Sequence, residues 1–293
     1  MSISISSLHP LFAGEVSGVD TTQPLSRDDT AAIEAGMDRY AVLVFRDQRL
    51  TDEQQLAFSR CFGELEETRG TGISKPGELR LHPAFADVSN IGKDNKLLER
   101  DSRRRLYGLG NMLWHSDSSF KAVPAKYSIL SGRVVTNDGG DTEFADMRAA
   151  YAALDDSSKA ELDDLVCEHS LIHSRAILGF NDLTPEERAT MRPVRQRLVR
   201  THPATGEKSL YLASHIGAII GWPVPEARAF IRDLTEHATQ RQFVYAHRWC
   251  QYDLVMWDNR VTMHRARPFD NAEVRDMHRT TVACELSTMD QAA

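Results

Sequence analysis

The spacing of apolar residues predicts that short strands form much of the chain's interior. The run AVLVFRDQ, residues 41–48, is rich in β-branched and aromatic side chains and is typical of a buried strand. In the segment TDEQQLAFSRCFGELE that follows it, Thr51 and Gln54 have the spacing of a capping box, which marks the start of a helix. The pattern therefore predicts a strand followed at once by a helix.

The middle of the chain repeats this alternation of strands and helices. AKYSILSGRVV is strand-like, the turn sequence NDGGD follows it, and Asp146 is placed to cap a helix over the next residues. Further along, RLVRTHPATGEKSLYLA has two strand-like runs around a loop that contains proline and glycine. This arrangement predicts a β-hairpin.

Towards the end of the chain one amphipathic helix precedes a group of strands. In PVPEARAFIRDLTEHAT the apolar residues recur at i, i+3, i+4 and i+7, which is the pattern of a helix with one buried face. Three strands are then predicted in FVYAHRW, DLVMWDN and RTTVACEL. The expected fold is mainly β, a barrel or sandwich of short strands with covering helices.

A polar, glycine-rich segment interrupts this pattern at about residues 66–111. It contains GTGISKPGE and GKDNKLLERDSRRR and shows little periodicity. A solvated loop is one interpretation, and a lid over a pocket is the functional one, because long loops in compact domains often carry function.

Composition favours one domain, residues 1–293, that acts on a small molecule. The net charge is −7 and the basic residues form no long run, so the features of a nucleic-acid-binding protein are missing. The four cysteines are widely spaced, which fits a reducing compartment. No run of about 18 apolar residues predicts a membrane span and no signal-peptide pattern is seen, so we expect a cytoplasmic protein.

The stretch NMLWHSDSSF, residues 111–120, places His115 and Asp117 two positions apart. In an extended segment, residues i and i+2 point to the same face, so the imidazole and the carboxylate could reach one metal ion. On a helix the same spacing would direct them to nearly opposite sides. Such a pair also arises by chance, so a metal site requires a third ligand.

His264 is the best candidate for this third ligand. It follows a predicted strand and the turn sequence DNR, so it could return beside His115 and Asp117. Two histidines and one carboxylate on one face of a metal are the arrangement of non-haem Fe(II) oxygenases. The other histidines have simpler interpretations. We expect His247 to be structural. Five more are expected to be surface or hydrogen-bonded residues: His82, His169, His173, His215 and His237.

Two arginines follow His264 in the segment AEVRDMHRTTVACE. If this segment is a strand, Arg275 and Arg279 project from one face with Cα atoms roughly 13 Å apart, which would suit two separate anions. The planar guanidinium can bind a carboxylate with two hydrogen bonds and keeps its charge. Surface ion pairs or a helix face would also fit the spacing, although RTTVACEL favours a strand.

Taken together, these motifs resemble the Fe(II)/2-oxoglutarate-dependent dioxygenases of the taurine dioxygenase family. The resemblance covers nearly the whole chain and is weaker at about residues 170–196 and after Glu66. The segments that carry it are LHPLFA, VLVFRDQRLTDEQQLAFSRCFGELE, LWHSDSSF, GGDTEFADMRAAYAAL, EHATQRQFVYAHRW and DLVMWDNRVTMHRA.

The resemblance implies a role for each motif. Fe(II) would be bound by His115, Asp117 and His264 in a double-stranded β-helix, or jelly-roll, core. Arg275, with Thr142 of GGDT, would hold the distal carboxylate of the co-substrate 2-oxoglutarate, and O2 would be the second co-substrate. Arg279 would bind the acid group of the main substrate.

The substrate implied by the resemblance is an aryloxyalkanoate of the phenoxyacetate type, such as 2,4-dichlorophenoxyacetate. Hydroxylation of the carbon next to the ether oxygen would release a phenol and glyoxylate, with succinate and CO2 from 2-oxoglutarate. Taurine or another alkylsulfonate, and a 2-aryloxypropionate, are the alternative substrates. We expect no nucleic-acid or membrane partner, and a homo-oligomer.

Two alternatives keep the metal ligands but change the class of protein. A metal-binding sensor barrel would use them without turnover, and a hydrolytic enzyme would use them to hold zinc. Neither class needs a clamp for a co-substrate, so the pair Arg275 and Thr142 favours the dioxygenase.

Overall fold

The computed structural model describes residues 3–67, 73, 77 and 79–290. Within these residues, helices and strands hold similar shares of the chain, so the fold is mixed and sheet-rich with helices packed outside the sheets. The helices are α1 Arg27–Tyr40, α2 Asp52–Arg60, α3 Arg103–Gly108, α4 Met147–Ala152, α5 Asp156–Leu162, α6 Leu171–Ile177, α7 Pro185–Thr190 and α8 Val224–Ala238. Short 3-10 helices lie at Leu109–Met112 and Arg241–Phe243.

Most of the strands are short, as the hydrophobic pattern predicts. The strands are β1 Ser4–Ser7, β2 Gly14–Ser17, β3 Val42–Phe45, β4 Phe85–Asp87, β5 Ala125–Val134, β6 Thr142–Asp146, β7 Val166–His169, β8 Val194–Arg197, β9 Val199–Thr201, β10 Lys208–Leu210, β11 Ile216–Ile219, β12 Val244–His247, β13 Leu254–Asp258, β14 Thr262–Ala266 and β15 Asp276–Ala283. Of these, β5 and β15 are longer than the rest.

The described strands form one large sheet and three small ones. The large sheet has the order β1-β2-β3-β13-β5-β15-β4, in which β2 and β3 are parallel and the other neighbours are antiparallel. A second sheet has the order β12-β6-β14. The strands of the two remaining sheets, β11-β7-β8 and β10-β9, come from the middle of the chain. The pair β9-β10 is the predicted hairpin.

Strand β13 is buried on both faces, which explains its continuous apolar sequence. Leu254 and Met256 pack with α1 and α2, whereas Val255 and Trp257 point to the opposite side. There they meet Phe144 of β6, so the large sheet packs face to face on the β12-β6-β14 sheet. The outer face of this second sheet packs against α4 and α8.

Several local predictions are confirmed by the structure. Thr51 and Gln54 form the reciprocal capping box of α2, and the Asp146 side chain accepts hydrogen bonds at the start of α4. The segment 66–111 was expected to lack regular structure, but it contributes β4 to the edge of the large sheet and also contains α3. Residues 68–72, 74–76 and 78 of that segment lie outside the described residues.

No helix among the described residues combines the length and the apolar composition that crossing a membrane requires.

Candidate metal and co-substrate site

The fold brings the three predicted metal ligands together. His115 and His264 form an isolated antiparallel bridge, in which each backbone N–H donates to the other's carbonyl at 3.0 and 2.8 Å. Ligand atoms of His115, Asp117 and His264 all lie within 4.8 Å of one another, and the three residues are buried. In the described part of the chain, no other group of three His, Cys, Asp or Glu side chains meets this criterion.

The His-x-Asp pair is extended only at its first residue. His115 forms the bridge to β14, but Asp117 already belongs to a turn, in which Ser118 has a φ of +53°. The expectation that both residues lie on one strand is therefore half correct. The turn, rather than a strand pleat, directs the Asp117 carboxylate toward the histidines.

The imidazoles of His115 and His264 are in an environment that favours their neutral form. His115 donates from Nδ1 to the carbonyl of Leu113 at 2.7 Å, which leaves Nε2 free at 3.8 Å from Asp117 Oδ1. His264 Nε2 lies 3.6 Å from Asp117 Oδ2, and its ring packs on Trp257 with centroids 4.7 Å apart. Burial lowers the pKa of both histidines and so favours the unprotonated form that binds metal.

Asp117 is held in place by contacts to both of its carboxylate oxygens. Ser128 on β5 donates to Oδ2 at 2.7 Å, Arg279 on β15 donates to Oδ1, and the Asp117 backbone N–H donates to Asn259 at 3.0 Å. Burial alone would raise the pKa of Asp117, but Arg279 and the two nearby imidazoles outweigh it and hold the pKa well below its usual range. The carboxylate is therefore ionised.

A cavity of about 400 Å³ opens beside these residues. His115, Asp117, Arg275 and Arg279 all line it. Much of the remaining wall is apolar. Six of its residues belong to the segment predicted as a lid and three do not: Leu79, Leu81, Phe85, Val88, Leu98 and Leu109, and then Met112, Phe120 and Leu171. This volume lies in the usual range for small-molecule sites of about 300–1,000 Å³.

Arg275 is a buried cation that no acidic side chain of the described residues neutralises. It is 4% exposed, and its guanidinium donates only to the carbonyls of Val88 and Gly140, at 3.4 and 3.3 Å. Burial lowers the pKa of Arg275 to about 10, with no opposing contribution from a carboxylate. A buried charge without a partner is costly, so an anion that enters the cavity would find a strong site here.

Thr142 begins β6 two residues after Gly140, whose carbonyl contacts Arg275. The Thr142 hydroxyl is buried and accepts a hydrogen bond from Trp249 Nε1 at 3.0 Å. Its own proton is thereby left to donate to an acceptor such as a carboxylate. The pairing of Thr142 with Arg275 that the resemblance implies stays a prediction.

Arg279 lies on the cavity wall with Arg275, as expected for residues four apart along an extended segment. Arg279 differs from Arg275 because its guanidinium already pairs with Asp117. It therefore adjoins the candidate metal ligands directly, whereas Arg275 lies at the Gly140 end of the cavity.

The sequence did not identify two residues that line the same cavity. His215 was expected to be a surface or hydrogen-bonded residue; it is hydrogen-bonded to Ser174 Oγ at 2.8 Å, but it is buried, and its ring centroid lies 6.1 Å from that of His115. Arg175, on α6, is buried as well. Neither residue belongs to a motif, so no local pattern could have identified them.

Comparison with known proteins places these features in a family. Residues 4–281 match the family model described as "Taurine catabolism dioxygenase TauD, TfdA family". The chain is 45% identical to the alpha-ketoglutarate-dependent 2,4-dichlorophenoxyacetate dioxygenase of Cupriavidus pinatubonensis, over 96% of this chain and 98% of that protein. It is 37% identical to the (S)-phenoxypropionate/alpha-ketoglutarate-dioxygenase of Sphingobium herbicidovorans, over 95% of this chain and 94% of that one.

A solved structure shows the same likeness in three dimensions. The crystal structure of AAD-2 in complex with Mn(II) and N-oxalylglycine superimposes with a TM-score of 0.96 and 57% sequence identity, and it covers 98% of this chain and 100% of that one. Since the family model spans nearly the whole chain and each of these relatives shares more than a third of its residues, this chain belongs to the TauD/TfdA family of dioxygenases.

Proposed function

We propose that this dioxygenase hydroxylates an aryloxyalkanoate, of which 2,4-dichlorophenoxyacetate is the type, at the carbon next to the ether oxygen. The observation that carries the proposal is the cavity, which combines the buried triad, the unneutralised Arg275 and a largely apolar wall. The products are a phenol and glyoxylate, with succinate and CO2 from 2-oxoglutarate. The names of the relatives given above support this substrate class.

The residues present fit the metal and co-substrate that the family implies. His115, Asp117 and His264 supply two neutral nitrogens and one ionised carboxylate, the donor set preferred for Fe(II) in oxygenases that leave coordination positions open. Arg275 and Thr142 hold the distal carboxylate of 2-oxoglutarate. When bound together, Fe(II), 2-oxoglutarate and O2 supply the oxidising power for hydroxylation of a C–H bond.

The chain's own residues position the substrate and exclude water. Arg279, beside Asp117, binds the substrate's carboxylate and so keeps the adjacent carbon close to the three metal ligands. The aryl ring then packs against the apolar wall that includes Leu81, Phe85 and Phe120. A substrate without an aryl group would leave this wall in contact with water, which makes its binding weaker.

We further propose that the core is a double-stranded β-helix and that residues 1–293 are one domain. The face-to-face packing of the β12-β6-β14 sheet on the large sheet, with the triad at their junction, supports this assignment. Residues 66–111 would form the lid, since its described residues provide much of the cavity wall.

A substrate panel tests this function. The enzyme is supplied with Fe(II), 2-oxoglutarate and O2, and the release of succinate is compared with the release of phenol or sulfite. We expect 2,4-dichlorophenoxyacetate to give phenol and succinate in equal amounts, and faster than taurine gives sulfite. An enzyme that oxidises taurine with a hundredfold higher kcat/KM would contradict the aryloxyalkanoate assignment but not the family.

The 2-aryloxypropionates are the second candidate substrates, and the similarity to the Sphingobium herbicidovorans protein is the observation that favours them. These acids carry one additional methyl group on the carbon that is oxidised, so the two enantiomers are included in the panel. A preference for one enantiomer over the unsubstituted acetate would assign the enzyme to that class.

A further inference from the structure

Arg175 is a second buried cation on the cavity wall. It lies on α6, is 6% exposed, and packs over the ring of Tyr107 with its Cζ 4.4 Å from the ring centroid. Its Nη1 donates to Ser174 Oγ at 3.3 Å, and its buried Nε has no hydrogen-bond partner. The side chain lines the cavity, and its hydrogen bonds are to the uncharged groups of Ser174 and Tyr107.

No acidic side chain among the described residues neutralises Arg175. Burial lowers the pKa of this guanidinium, and the partner that opposes the shift is Tyr107 rather than a carboxylate. Four other cations that line the cavity have acidic partners: Arg80 with Asp87 and Asp276, Arg104 with Asp87, Lys121 with Glu66, and Arg279 with Asp117. Arg105 also lines the cavity without an acidic partner, but it is only half-buried and donates to the carbonyl of Arg100. Arg175 shares its lack of an acidic partner with Arg275.

The position of the Arg175 guanidinium depends on a glycine. A Cβ atom at Gly110 would overlap Nη1 and Cζ of Arg175, so the absence of a side chain there makes room for the cation. On the other side, Ser174 joins Arg175 to His215, whose ring is next to His115. The guanidinium therefore lies near the His115 side of the triad, whereas Arg279 lies at Asp117.

We infer that Arg175 is a second binding residue for the carboxylate of the main substrate, and that it holds this group together with Arg279. This inference rests on the proposed function, in which both 2-oxoglutarate and the substrate place a carboxylate in the cavity. Arg275 serves the first of these. For the second, Arg279 is already shared with Asp117, and Arg175 supplies a positive charge that no carboxylate of the described residues neutralises.

Two arginines on different sides of one carboxylate would fix its orientation as well as its position. A single guanidinium allows the substrate to rotate about the axis of the contact, but a second one that binds the other oxygen removes this freedom. Arg175 would thereby determine which hydrogen of the neighbouring carbon faces the metal ligands. Arg175 would therefore act in substrate specificity, whereas Arg275 and Thr142 bind the co-substrate.

The test measures binding without turnover. Mn(II) and N-oxalylglycine, an unreactive analogue of 2-oxoglutarate, are bound to the enzyme, and calorimetry then gives the Kd for 2,4-dichlorophenoxyacetate. In Arg175→Met we expect this Kd to rise about tenfold or more, because a charge-assisted hydrogen bond is lost. The Kd for N-oxalylglycine should stay the same, as should the Kd for the uncharged 2,4-dichlorophenoxyacetamide.

A second variant keeps the test valid if Arg175→Met does not fold. The three atoms nearest to a methyl group at Gly110 all belong to the guanidinium of Arg175, so Gly110→Ala displaces this group, and alanine is favoured over glycine in a helical turn. It should raise the Kd for the acid in the same way. The matched control is Gly108→Ala, which adds the same methyl group to the same wall where no atom lies within 4 Å, and its Kd should equal that of the unmodified enzyme.

The outcomes separate this inference from the proposed function. If the unmodified enzyme binds and oxidises the aryloxyacetate but Arg175→Met and Gly110→Ala both bind it equally well, Arg175 has no role in binding and the proposed function stands. If the unmodified enzyme neither binds nor oxidises any aryloxy acid, the proposed function is wrong, and the inference about Arg175 is wrong with it. An equal loss of acid and amide binding would show a change of pocket shape and overturn the inference.

Discussion

Asp117 shows how much of the site depends on single side chains. One of its oxygens accepts from Ser128, the other accepts from Arg279, and both lie within 4 Å of a histidine nitrogen. In the absence of a metal, the ion pair with Arg279 compensates for the buried negative charge. In the proposed site, the same carboxylate would therefore pair with Arg279 before a metal binds and would coordinate the metal afterwards.

The first prediction concerns these ligands. Replacing His115, Asp117 or His264 by alanine should weaken Mn(II) binding by more than about a hundredfold, the upper range for outer-sphere partners, and abolish succinate formation. Calorimetry and a succinate assay measure the two effects. His82→Ala, a change at an exposed histidine, is the control and should bind Mn(II) normally. Full turnover in any ligand variant would remove that residue from the site.

The second prediction separates Arg279, on β15, from Arg275, the residue just before that strand. Arg275→Ala should chiefly raise the KM for 2-oxoglutarate by about ten- to a hundredfold, since a charge-assisted contact is lost. Arg279→Ala should instead raise the KM for the aryloxyacetate and uncouple succinate formation from phenol release. Arg267→Ala, at an exposed arginine of the same cavity, should change neither constant.

Two results would contradict the roles assigned to Arg275 and Arg279. If Arg279→Ala abolishes the binding of 2-oxoglutarate while Arg275→Ala leaves it intact, the roles of the two residues are exchanged. If neither KM changes in either variant, the cavity does not bind two anions through this segment.

At the scale of elements, the turn between β13 and β14 positions the last of the proposed metal ligands. Asp258, at the end of β13, accepts from Arg260 at both oxygens and lies 3.3 Å from His202 Nε2, and all three residues are buried. The Thr262 hydroxyl donates to the Asp258 carbonyl at 2.6 Å, so the first residue of β14 is tied to the same turn. His264 follows two residues later, and its position depends on this turn.

The third prediction removes the charge at this turn. Asp258→Asn should lower the free energy of unfolding by about 3 kcal/mol, because Arg260 is left buried without its counter-charge. Urea denaturation measures this change. Asp233→Asn, which removes an exposed ion-pair partner on α8, should change the free energy by no more than about 0.5 kcal/mol. A turn that is not needed for stability would give equal values for both variants.

The stabilisation from Asp258 should depend on pH in a defined direction. Burial opposes ionisation, but Arg260 and His202 outweigh it, so the pKa of Asp258 in the folded state is below its ordinary value. A lowered pKa contributes stability that is fully present above the unfolded-state pKa of about 3.9 and is lost as the pH falls through the folded-state value. The stability difference between the unmodified protein and Asp258→Asn should be constant near neutral pH and shrink below about pH 4.

At the scale of the whole molecule, the site exists only in the folded chain. Its proposed residues come from the segment before β5, from β6, from β14, and from β15 with the residue just before it, and the cavity wall extends from Glu66 to Thr281. Metal and co-substrate therefore bind the native state and have no equivalent site in the unfolded chain. Such ligands stabilise a protein by mass action.

The fourth prediction follows from this linkage. Mn(II) at a hundredfold excess over its Kd should raise the free energy of unfolding by about 2.7 kcal/mol. N-oxalylglycine at a hundredfold excess over its own Kd should add about the same amount. Thermal unfolding followed by fluorescence would show the rise in Tm, and a chelator should reverse it. His264→Ala should show no rise. A rise of equal size in that variant would mean that the ions bind elsewhere.

Local features of the fold could be predicted from the sequence because they depend on neighbouring residues. The period of apolar side chains gave β3, β13, β15 and α8, and the capping box of α2 and the cap of α4 follow from fixed spacings. The order of the His-x-Asp pair, the second histidine and the arginines carried the family resemblance. These features change little with the surroundings of each segment.

Tertiary structure decided which residues share the cavity and what each one faces. His215 and Arg175 belong to no motif and reach the triad only because α6 and β11 pack beside it. Arg275 and Arg279 are similar in sequence, but one is unneutralised and the other pairs with Asp117. The physical reason is that burial and charge compensation depend on residues far apart along the chain, whereas sequence patterns report on near neighbours.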